Sequence, residues 1–101
     1  MDRIEKLIKE IQDDRSVWQD PRGRPTRFSG KFLNSVGDIF EQHGFGVTRV
    51  YLQNQSVRDR SQAVGLLKVL EKMEMYQEIK SNRAIGRYII KSLYTLKQME
   101  V

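Results

Sequence analysis

Between Asp59 and Ile79 the apolar side chains return at helical spacing, and no other feature limits the fold of this chain as strongly. Val64, Leu67, Leu70 and Met73 recur at three-residue steps. Ala63, Leu66, Val69 and Met75 widen that stripe into a face that has to be buried. The start of the same segment is polar and basic. Asp59 or Ser61 can supply an N-cap oxygen, and Arg58, Arg60, Ser61, Gln62 and Lys68 carry donors and acceptors suited to phosphates and base edges. One helix thus combines a flank for a core with a cationic end for a polyanion.

The neighbouring segments extend this pattern. Upstream, Thr48 is a candidate cap for a short helix through Tyr51 and Leu52 toward Gln53, after a brief extended stretch at 45–47. QNQSVRD then becomes the connecting turn. Downstream, MYQEIK and GRYIIK are two β-prone runs separated by SNRAI, with Asn82 as a turn former and Gly86 relaxing the second run.

Short helix, turn, second helix and basic hairpin in this order resemble the winged helix-turn-helix family. The likeness covers about half to two-thirds of the chain and rests on pattern. It implies a mainly α fold with a small β-hairpin, here with an extra N-terminal helix. It further implies that the helix from Arg60 to Met75 enters the major groove of DNA while the hairpin forms the wing. One residue departs from the family: Glu74 stands before the first wing run, where glycine is common.

The length suits a single domain, 1–101. Residues 1–14 place Ile4, Leu7, Ile8 and Ile11 on one side of an amphipathic helix. Residues 15–31 form a basic loop, where Pro21, Gly23, Pro25 and Gly30 forbid a continuous helix and Trp18 and Phe28 anchor the ends. The winged-helix core spans 32–91. It opens with a helix carrying Phe32, Leu33, Val36, Ile39 and Phe40, capped by Ser29, stopped by Gly44 and marked by Gly37 for close packing. Residues 92–101 are a C-terminal segment in which Leu93, Leu96 and Met99 suggest a last helical turn or two.

Charge is distributed unevenly. The net charge is +5, yet Arg15, Arg22, Arg24, Arg27 and Lys31 against Asp20 give 15–31 a net +4. Residues 58–91 hold eight basic side chains against Asp59, Glu71, Glu74 and Glu78, again a net +4. The positive charge therefore sits in the loop and in the proposed reading region.

Catalytic chemistry finds little support. The chain has no cysteine, so it has no disulfide, thiolate metal site or thiol nucleophile. The single histidine, His43, lies beside a helix-stopping glycine, where it suits terminal carbonyls better than a metal. Asp13/Asp14 and Glu71/Glu74 read as solvated helix faces. GFG at 44–46 lacks the strand–loop–helix context of a phosphate cradle. We expect no enzyme, no metal and no cofactor. With a charged start and no bilayer-length apolar run, the chain reads as an intracellular protein without a membrane partner.

The expected function is non-catalytic binding of double-stranded DNA by a regulator of transcription or replication. Arg60, Ser61 and Gln62 would face the major groove, with Arg58 beside them. Lys68, Lys72, Lys80, Asn82, Arg83 and Arg87 would hold the backbone, the last four from the hairpin. Arg22, Arg24 and Arg27 would form an arm along phosphates or into a minor groove. The alternative is an interaction module in a larger assembly whose basic surface meets an acidic partner protein. RNA or single-strand binding is a third option. The terminal amphipathic segments further suggest a homodimer, each copy reading one half-site. Tyr76, Tyr88 and Tyr94 read as packing residues with solvated hydroxyls.

Overall fold

A computed structural model describes residues 2–99, with side chains described through Leu96. The chain is helical: α1 (Arg3–Asp13), α2 (Arg15–Trp18), α3 (Gly30–His43), α4 (Phe45–Gln53), α5 (Arg60–Met73), α6 (Gln77–Ser81) and α7 (Arg83–Met99), with a 3-10 turn at Val57–Asp59 before α5. The described residues contain no strand. Their β pairing is confined to an isolated bridge between Gln19 and Pro25.

The predicted hairpin is therefore absent, and with it the β-wing of the winged-helix reading. MYQEIK lies in the α5–α6 junction and α6, while GRYIIK lies inside α7. Burial gives the physical reason. Ile89 and Ile90 are both fully buried, followed by Leu93 and Leu96. A strand sends consecutive side chains to opposite faces, whereas a helix gathers i, i+1, i+4 and i+7 into one stripe. β propensity is weak beside that packing. Gly86, expected to loosen a strand, is instead a contact point: an added Cβ would run into the Phe40 ring and the Met73 methyl. Asn82, expected in a β-turn, accepts a hydrogen bond from the Ala84 amide through Oδ1 (3.1 Å) at the start of α7. Of the C-terminal segment, residues 92–99 are part of the same 17-residue helix. The Met99 side chain lies outside the described residues.

Other elements form where their local chemistry points. Ser29 Oγ accepts from the Phe32 amide (3.1 Å) and caps α3. Gly44, at φ 82°, ends α3 in a left-handed conformation that glycine adopts without strain. The chain then enters α4 at once, so the extended stretch predicted at 45–47 is helical. Thr48 does not cap α4: its buried hydroxyl donates to the Gly44 carbonyl (2.7 Å) from within the helix. Gly37 does mark close packing, with Arg87 and Lys91 side-chain carbons 3.2–3.3 Å from where its Cβ would lie.

The core forms between α3, α5 and α7, with α1 closing one side through Leu7 and Ile11, both fully buried. The apolar faces of α1 and α7 are thus taken up within one chain.

The apolar stripe of α5 is rotated from its predicted centre. Ala63, Leu66, Val69, Leu70 and Met73 are buried, Val64 and Leu67 are at the margin, and Met75, beyond the helix, is 80% exposed. Tyr76 is buried, but Tyr88 and Tyr94 are exposed rather than packed.

A candidate nucleic-acid interface

The α4–turn–α5 unit exists, and its position depends on how the basic loop is held. The loop begins with one helical turn, α2, capped by Asp14, whose Oδ1 accepts from the Ser16 amide (2.9 Å) and hydroxyl (2.6 Å). Trp18 Nε1 donates to the Ile11 carbonyl (2.9 Å), and its ring meets Phe28 edge-on at 5.5 Å. Both predicted anchors are buried. Gly65 of α5 allows this docking: a Cβ there would come within 2.7 Å of the Val17 carbonyl and 2.9 Å of the Phe28 ring.

Between the anchors the loop is a built turn. The Asp20 carbonyl accepts from the Gly23 amide (2.9 Å), and the Asp20 amide donates to the Arg24 carbonyl (2.8 Å). One Asp20 carboxylate oxygen accepts from the amides of both Arg22 and Arg24 (2.9 Å each). Gly23 supplies the left-handed residue at φ 83°, with open space around it. Asp-Pro-X-Gly is a turn signature, so this clasp is available in the sequence beyond the break in helix that its prolines and glycines impose. The side chains of Arg22, Arg24 and Arg27 are exposed.

Two hydrogen bonds fix the loop to the start of α5. The Thr26 and Ser61 hydroxyls share one at 3.3 Å. The Ser29 amide donates to Gln62 Oε1 at 2.7 Å, while Gln62 Nε2 donates to Asp59 (3.3 Å). Gln62 lies about 200° around the helix from Arg60, and both ends of its amide are bonded within the protein. Gln62 and Ser61 therefore hold the loop to α5 through these bonds. Asp59 makes no side-chain cap to the α5 backbone. Arg60 and Lys68 are exposed, with Val64 between them. Arg58 is exposed on the preceding turn.

Side-chain pairing separates the cations into two groups. On the α3–α7 side, Arg87 Nη1 lies 2.7 Å from Glu41, Lys91 Nζ 3.3 Å from Asp38, and Arg83 Nη1 donates to the Gln42 carbonyl (3.1 Å) at the end of α3. Lys72 pairs with Asp14 (3.2 Å). Burial pushes the Asp14 carboxyl up, but the hydrogen bonds from Ser16 and the nearby Lys72 ammonium outweigh it and hold the group below its ordinary value. By contrast, Arg15, Arg22, Arg24, Arg27, Lys31, Arg58, Arg60 and Lys68 have no ion-pair partner among the described residues. They lie along the loop and the start of α5. Arg15 and Lys68 line one shared groove, and Lys31 and Arg58 another.

Lys80, also unpaired, is on α6 beyond the far end of α5, roughly 20 Å of helix from Arg60. The former hairpin set of Lys80, Asn82, Arg83 and Arg87 is thus dispersed: one cation remote, one helix cap and two cations engaged by α3. Sequence reasoning had counted the charge of Arg15 and Lys31 without assigning them to the site. Among the described residues, no group of three His, Asp or Glu side chains could hold a metal ion, and no helix is long and apolar enough to cross a membrane.

No protein-family model matches the chain, and no curated protein or solved structure is similar to it.

Proposed function

We propose that this protein binds duplex DNA without catalysis, through the first turns of α5 and the loop fixed beside them, as a regulator of transcription or replication would. The observation that carries the reading is the set of cations along the loop and α5 with no ion-pair partner among the described residues, whereas Arg87 and Lys91 of α7 pair with carboxylates of α3. Unpaired arginines and lysines are the groups that displace counterions from a phosphate backbone. Arg60 remains the base-reading candidate, since its guanidinium is exposed and its geometry suits the O6 and N7 of guanine. Arg15, Arg27, Arg58 and Lys68 would hold phosphates.

Fluorescence anisotropy of labelled random duplex tests this directly. With five cations engaged, log affinity should fall with log salt at a slope of about −4.5. Binding without salt dependence, or none at low salt, rejects the reading.

A second reading rests on a different surface. Val47 and Val50 are 50% and 55% exposed on α4 and, with Gly46 and Tyr51, line an apolar groove. Such a patch suits a protein partner in an assembly. Val50→Glu would then abolish complex formation while leaving duplex affinity intact.

A further inference from the structure

We infer that one DNA strand lies in the groove between the Asp20 turn and α5, so that Arg22 and Arg24 enter the minor groove and select A·T-rich sequence there. The inference rests on the duplex-binding reading and deepens it. The two sides of this groove are the turn and the exposed strip of α5. Its volume is about 390 Å³, with Val64 and Pro21 on its apolar surface and Arg15 and Lys68 as its cations. Apolar walls suit the sugars of a backbone, and the two cations suit its phosphates. A strand held there would have α5 in the major groove on one side and the turn over the minor groove on the other.

The turn is built to present its arginines. One carboxylate oxygen holds the amides of Arg22 and Arg24, the Gln19–Pro25 bridge closes the base, and nothing approaches Gly23 at the tip. Neither guanidinium has an ion-pair partner among the described residues. A backbone fixed in advance reduces the ordering lost on binding. Narrow A·T minor grooves concentrate negative potential and attract arginine. In G·C pairs the guanine 2-amino group projects into that groove and opposes insertion.

The test uses alternating duplexes of dA·dT, dG·dC and dI·dC, each about three helical turns long. Inosine lacks the 2-amino group, so dI·dC resembles dA·dT in the minor groove and dG·dC in the major groove. The inference predicts that dI·dC, which offers Arg60 the same O6 and N7 as dG·dC, binds at least about fivefold tighter than dG·dC. Arg22→Ala/Arg24→Ala should remove that preference, with circular dichroism confirming an intact helical fold. Asp20→Ala separates the clasp from simple charge, because loss of an anion alone would tighten binding to all three duplexes. The inference instead predicts a reduced preference for dA·dT and dI·dC. If dI·dC behaves like dG·dC, or all three bind equally with steep salt dependence, the minor-groove inference is overturned and the duplex-binding reading stands. If none of the three binds at low salt, both fall.

Discussion

The α3–α7 face and the α5–loop face are rich in the same residues, yet their arginines and lysines have different fates. On the first, Arg87 and Lys91 meet Glu41 and Asp38, and Arg83 bonds to the last turn of α3. On the second, Arg58, Arg60, Lys68 and the loop arginines meet no carboxylate among the described residues. Charge counted along the sequence treats the two groups as equal. Folding separates them, and only the second remains available to a polyanion.

The largest effect should come from wedging apart the structural side. Gly86→Ala forces a methyl into the Phe40 ring, and overpacking of this kind costs about 1–3 kcal/mol, only partly offset by better helix propensity. Urea unfolding should register the loss, and the folded fraction should bind duplex with wild-type affinity. Weaker binding by that fraction would show that the two faces are coupled.

Arg60→Ala should follow, with about 1–3 kcal/mol of sequence preference lost in competition against unrelated duplex and little change in unfolding. An unchanged preference would remove Arg60 from its role.

Asp14→Ala should cost about 1 kcal/mol of stability at neutral pH through the lost α2 cap. Because the folded carboxyl sits below its ordinary value of 3.8, its contribution is complete above that pH and disappears as pH falls through the lower folded value. Thermal unfolding of wild type and variant should therefore converge in acid. A gap that widened there would reverse the sign of the assignment.

The smallest effect is expected for Arg87→Ala, whose ion pair is partly solvent-exposed and therefore worth no more than about 1 kcal/mol. Duplex affinity should be unaffected. A drop equal to that of Lys68→Ala would erase the distinction between the faces.

Much of the helical framework was legible in the sequence. The Ser29 cap, the Gly44 stop, the close approach at Gly37 and the anchors Trp18 and Phe28 follow from local chemistry that the structure retains. The C-terminal third was misread because Ile89 and Ile90 are β-branched and flanked by Gly86, a local signal overridden by packing on α3 and α5. The basic loop was located, but its Asp-Pro-X-Gly turn was read only as a break in helix. Gln62 looked like a residue facing the major groove because sequence shows an amide without its partners. Its partners are Asp59, three residues back, and Ser29, brought there by the docking of the loop. Which cations find carboxylates depends on α3 meeting α7 across more than forty residues of chain, a distance that helical periodicity does not span.

The most direct measurement compares two double variants of equal charge change, Arg58→Ala/Lys68→Ala and Arg87→Ala/Lys91→Ala, in duplex titrations over a range of salt. The account predicts that the first lowers the magnitude of the salt slope by about 2, while the second leaves both slope and affinity at wild-type values. Equal losses in the two variants would contradict it, since net charge would then account for the binding without any distinction between the faces.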